Sequence, residues 1–82
     1  MDDELQFFQA WWKILRKYWN PPAQSNQSKQ AKEFWKGFVD EVMALHKMYE
    51  QNKLFEPFAR QMCLDLIAEV KRRSVELYKE AR

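Results

Sequence analysis

Residues 5–19, LQFFQAWWKILRKYW, set the pattern around which the rest of the chain is arranged. Placed on a helix at ~100° per residue, Ala10, Ile14, Phe7, Tyr18, Trp11, Leu15, Phe8, Trp19, Trp12 and Leu5 follow in that order round an unbroken arc of roughly 220°. Gln6, Gln9, Lys13, Arg16, Lys17 and Asn20 fill the remaining wedge. A surface helix needs an apolar stripe of only ~100° or a little more, so this one carries more aromatic face than a single neighbour covers. It starts near residue 3, where Asp2 or Asp3 can accept from the free amides and, with Glu4, put negative charge at the positive helix end. Pro21 and Pro22 stop it at Asn20, because proline disfavours helical geometry in the residue before it.

Residues 20–28, NPPAQSNQS, are turn formers and small polar residues and predict an exposed loop, with Ser28 favoured over Ser25 as the cap of the next helix. That second helix spans about 29–51. Trp35, Phe38, Val42, Leu45 and Tyr49 recur at alternating spacings of three and four, and Ala31, Phe34, Val39 and His46 widen the seam to roughly 140°, enough for two neighbouring helices. Lys29, Lys32 and Lys36 crowd its first turns, where the dipole disfavours cations by a few tenths of a kcal/mol each. They read either as a solvated face or as a small basic patch kept for a partner. Gly37 costs ~1 kcal/mol relative to Ala inside a helix. It is either a tolerated surface glycine or space kept for a bulky ring, such as a Trp of the first helix or of a partner.

A short connection leads to Pro57, which is tolerated in a first helical turn, and the third helix continues to about residue 80. Ala59, Met62, Cys63, Leu66, Ile67, Val70, Ser74, Leu77 and Tyr78 share an arc of roughly 160°. Leu64, Ala68 and Val75 fall outside it, beside Arg60, Lys71 and Arg72, and are the apolar residues expected at its surface. Three amphipathic helices, about 3–20, 29–51 and 57–80, in one domain over 1–82 predict an all-α, up-down-up three-helix bundle. With a core this small, dimerisation through the surplus aromatic face is the alternative way to bury it.

Composition sharpens this picture. Aromatics make up 16% of the 82 residues against a single Gly and three Pro, which suits long helices with few turns. A net charge of +2 does not by itself imply a polyanionic partner. One Cys and one His leave no intramolecular disulfide and no ligand set for structural zinc, and no cofactor is expected. The MDDEL terminus lacks a basic n-region and an apolar h-region, and no uncharged run approaches the ~20 residues of a membrane span. An intracellular, cytoplasmic protein is the expectation.

Catalysis needs a nucleophile or base beside an orienting group. His46 and Cys63 are the strong candidates, and each lies at or within an apolar arc, where a boundary histidine and a buried, hydrophobe-like thiol are the expected roles. The carboxylates fall on solvated faces, and no phosphate loop, HExxH or nucleophile elbow is present, so no catalytic residue is assigned. Lys13, Arg16 and Lys17 on the first helix and Lys71, Arg72, Arg73 and Lys79 on the third are the residues a nucleic-acid reading would use, pairing phosphates beside aromatics that stack bases. Acidic neighbours and low net charge tell against it. An interfacial membrane helix is disfavoured by the few basic residues of the first helix.

The segments WWKILRKYW, FWKGFVDEV, LHKMYEQ, the F-x-R turn at Phe58–Arg60, and LIAEVKRRS resemble those of small, uncharacterised all-helical proteins carried by phages and prophages of Gram-positive bacteria. That resemblance implies a non-enzymatic inhibitor or adaptor acting on a host, defence or replication protein in a bacterial cytoplasm. From the residues themselves, the leading expectation is a protein-interaction module, self-associating or docking on a host protein, because hot spots favour Trp, Tyr and Arg. Phe7, Trp11, Ile14 and Tyr18, with Lys17 beside them, are expected to form the free side of the first helix. Leu5, Trp12 and Trp19 are then the core side, and Leu64, Ala68 and Val75 complete the contact set.

Overall fold

The computed structural model describes residues 2–78, with side chains from Glu4 onward. The chain forms α1 (Asp2–Lys17), α2 (Lys29–Tyr49) and α3 (Glu56–Leu77), each packed on the other two, and no strand occurs among the described residues. The side chains of Asp2 and Asp3, to which the pattern assigns the capping of α1, lie outside the described residues. So do residues 79–82, where the third helix is expected to end and where Lys79 sits.

Ring contacts give the directions of the helices. Phe7, early in α1, meets Tyr49 at the end of α2 (centroids 5.4 Å apart) and Phe58 at the start of α3 (6.2 Å). Tyr18, just past the end of α1, meets Phe34 and Phe38 near the start of α2 at 4.9 and 5.3 Å. Hence α1 runs against α2 and alongside α3, the up-down-up order that the loops predict. Phe7, Ile14 and Leu15 of α1, with Tyr18 just beyond it, close on Phe38, Val42 and Leu45 of α2 and on Ala59, Cys63, Leu66 and Val70 of α3.

Ser28 caps α2, its hydroxyl accepting from the Ala31 amide at 3.1 Å. After Tyr49 the Asn52 side chain accepts from the amides of Leu54 and Phe55. That turn ends α2 two residues before the expected 51 and brings the chain into α3, where Pro57 lies in the first turn. α1 likewise stops at Lys17, short of Asn20, and the reason is tertiary. The Trp19 carbonyl accepts from the Arg73 guanidinium at 3.2 Å and the Pro22 carbonyl from the Ser74 hydroxyl at 2.7 Å, while Pro21 is fully buried. The start of the 20–28 segment is therefore docked on α3, contrary to the exposed loop that its composition suggests. At ~1.5 Å per residue, α1 is shorter than α3 by several residues. Leu77 and Tyr78, expected in the core arc, consequently have no α1 turn opposite them and remain about half exposed.

Candidate functional site

The aromatic arc of α1 is divided between core and surface, in the opposite sense to the division expected from sequence. Phe7, at 0% exposure, is fully buried, Ile14 and Tyr18 are buried, and Trp11 is half-buried with its indole donating to the Met62 carbonyl at 2.9 Å. These four cannot be the free side. Lys17, whose place beside them suggested solvent, instead reaches α2 and pairs with Glu41 at 2.7 Å. The same Glu41 oxygen accepts from the Tyr18 hydroxyl at 2.5 Å. These contacts hold the Glu41 carboxyl below the usual carboxylate range, first through Lys17 and then through Tyr18.

Gly37 explains why Tyr18 fits there. A methyl group at Gly37 would lie 3.0 Å from the Tyr18 hydroxyl oxygen, so the glycine keeps space for a ring of the first helix, a Tyr rather than a Trp. Its backbone is not left-handed; what the position requires is room.

The side of α1 left at the surface consists of Leu5 at 57% exposure, Trp12 at 53% and Phe8. Phe8 sits edge-on to Phe58 of α3, itself exposed, with centroids 5.9 Å apart. Further along, Arg16 lies over the Trp12 ring at 5.9 Å and over Trp19 at 4.9 Å, and the Arg73 guanidinium stacks on Trp19 at 3.8 Å. Leu5, Phe8, Trp12, Phe58 and the Arg–Trp19–Arg stack thus form an aromatic flank where α1 meets α3. Sequence reasoning placed Leu5, Trp12 and Trp19 on the core side and put Phe58 in a turn; of the three, Trp19 does pack against the core, half-buried. Phe8, in the middle of the apolar arc, gave no sign of surface exposure.

Leu64, Ala68 and Val75 are exposed as expected, but they do not join this flank. Leu64 lies roughly 120° round α3 from Phe58 and lines a groove with Val42, Met43 and His46 of α2. The nucleic-acid set is also dispersed. Arg72 is engaged by Glu69 through two hydrogen bonds of 2.8 and 3.0 Å, which keep the Glu69 carboxyl below its ordinary range. Lys17 is held by Glu41, and among the described members of the set only Arg16 and Arg73 converge, on Trp19. Lys13 and Lys71 make no ion pair among the described residues, and they lie on different helices.

His46 and Cys63 both border the α2–α3 groove without addressing each other through a hydrogen bond among the described contacts. His46 pairs with Glu56 at 2.7 Å, and the Cys63 thiol points to the Val42 carbonyl with the sulfur 3.9 Å away. Burial pushes that thiol up to about 11, so it is un-ionised at neutral pH and a poor nucleophile. Among the described residues no group of three His, Cys, Asp or Glu is placed to hold a metal, and no helix is long and apolar enough to cross a membrane. Comparisons with protein-family models, with curated proteins and with solved structures gave no match.

Proposed function

We propose that this protein is a non-enzymatic protein-interaction module whose contact surface is the aromatic flank between α1 and α3. The observation that carries this reading is the adjacency of Leu5, Phe8, Trp12 and Phe58, large apolar side chains left about half exposed although the core beneath them is closed. Moving the exposed half of each out of water would contribute about 1 kcal/mol apiece. Trp and Arg are the side chains around which binding hot spots form, and Trp12 with Arg16 supplies both. A nucleic acid suits this surface less well, because Lys17 and Arg72 are held by Glu41 and Glu69, which leaves Arg16 and Arg73 as the cations gathered there, on Trp19. The resemblance to small phage and prophage proteins supplies the role that we attach to the module, an inhibitor or adaptor acting by occupying a host protein's surface.

Photo-crosslinking in expressing cells tests this. A benzophenone amino acid at position 12 is expected to give a discrete adduct with a second protein chain, its own or another. The same probe at position 13, on the polar side of α1, is expected to give none. Equal labelling from both positions, or a nucleic-acid adduct, would overturn the proposal.

A further inference from the structure

A second flank, on the far side of α3, combines apolar and basic character. Between α2 and α3 a groove of about 160 Å³ is floored by Val42, Cys63 and Ile67 and walled by Met43 and Leu64, which are 63% and 54% exposed. Val39 and Val75 extend the apolar strip along the same faces, both exposed. At helical spacing, residues 39 and 43 of α2 and 64 and 75 of α3 each lie one or three turns apart on their helix, which gives the strip the length of a short docked helix.

Cations border this strip on both helices. Lys32, Lys36 and Lys47 lie along the α2 edge and Arg60 and Lys71 along the α3 edge. Of the carboxylates beside it, Asp40 is engaged by Lys36 at 2.7 Å and Glu56 by His46 at 2.7 Å and Arg60 at 3.6 Å, while Glu33 lies among Lys29, Lys32 and Lys36. Lys32, Lys47 and Lys71 make no ion pair among the described residues. α2 also opens with lysines and has no acidic residue in its first turn, against the preference of the helix dipole for anions there. Helix stability does not favour that placement, and an anionic partner would be complementary to it.

We propose that this groove receives an acidic amphipathic helix of a partner protein, its apolar ridge between Met43 and Leu64 and its carboxylates against the flanking lysines. Helix-in-groove docking of this kind anchors through side chains at spacings of three, four and seven, and charge complementarity sets its register and orientation. The proposal concerns a different face from the aromatic flank and does not depend on it.

The probe is a fluorescein-labelled, Leu- and Glu-rich peptide designed to form an amphipathic helix, compared with a scrambled peptide of the same composition. Anisotropy titrations of the full chain are expected to show binding by the helical peptide alone, weakening as salt rises. Leu64→Glu should reduce affinity at least about tenfold and Lys71→Glu by about threefold to tenfold, with far-UV circular dichroism unchanged. Amide shifts should map to residues around 39–46 and 64–75. Equal binding of the scrambled peptide, shifts confined to the α1–α3 flank, failure of both substitutions to weaken a measured complex, absence of binding at millimolar peptide, or preferential binding of single-stranded or duplex oligonucleotides to the groove would each overturn it.

Discussion

Gly37 and Tyr18 offer the sharpest energetic test of how α1 is seated. In an isolated helix, Gly37→Ala would stabilise by ~1 kcal/mol. In this bundle the new methyl would stand 3.0 Å from the Tyr18 hydroxyl oxygen, where ordinary contact begins near 3.4 Å. The ring cannot easily retreat, since Phe34 and Phe38 pack edge-on against it and its hydroxyl is bonded to Glu41. Overpacking of this kind costs about 1–3 kcal/mol, so the net effect in the parent protein runs from neutral to about 2 kcal/mol destabilising. Removing the hydroxyl changes the sign. With Tyr18→Phe in place the nearest ring atom is the former Cζ at 3.9 Å, an ordinary contact, and Gly37→Ala should then stabilise by close to its full ~1 kcal/mol. A double-mutant cycle, read by urea denaturation with far-UV circular dichroism, should therefore give a coupling energy of about 1–3 kcal/mol. A stabilisation of similar size in both backgrounds would refute the placement of Tyr18 against Gly37.

Three further outcomes follow from particular contacts. The folded-state pKa of Glu41 is depressed by Lys17 and then Tyr18, so its contribution is present above the ordinary carboxylate pKa and is lost as pH falls through the depressed value. The stability gap between the parent and Glu41→Gln should be open at neutral pH and close in acid; a gap unchanged by pH contradicts this. Trp11→Phe removes the hydrogen bond to Met62, at about 1 kcal/mol, whereas the buried indole nitrogen of Trp35 has no acceptor among the described residues, so Trp35→Phe removes a donor that makes no such bond. Thermal unfolding should show the smaller loss for Trp35→Phe, and an equal or larger loss counts against it. Cys63, with its thiol raised to about 11, should react with a thiol reagent at pH 8 roughly a hundredfold more slowly in the native state than in urea; comparable rates would mean that it is not buried.

Much of the fold was legible because burial imposes period. The seam through Phe38, Val42, Leu45 and Tyr49 and the cap at Ser28 each depend on residues close in sequence, whereas the end of α1, expected from Pro21 and Pro22 at Asn20, comes at Lys17. Which side of the α1 arc enters the core depends on residues far away. Lys17 resembles a marker of solvent until Glu41 stands opposite it, and Tyr18 is buried because Gly37, nineteen positions later, has no side chain. The docking of the loop was hidden for the same reason, although Ser74 within the apolar arc of α3 was a clue, since a buried hydroxyl needs an acceptor and finds it at Pro22. The aromatic flank became visible only once the core had taken its share of the rings.

The account depends on a division of labour within α1, in which Phe7, Ile14 and Tyr18 hold the bundle and Leu5 and Trp12 are spare. The most direct measurement is the unfolding free energy, by urea titration, of the Leu5→Ser/Trp12→Ser double variant beside that of Phe7→Ala. The account predicts that the surface pair changes stability by no more than about 1 kcal/mol, while the single core truncation costs about 3–5 kcal/mol. A double variant that loses as much as Phe7→Ala would mean that those outward rings are structural, and the docking surface argued from them would have no basis.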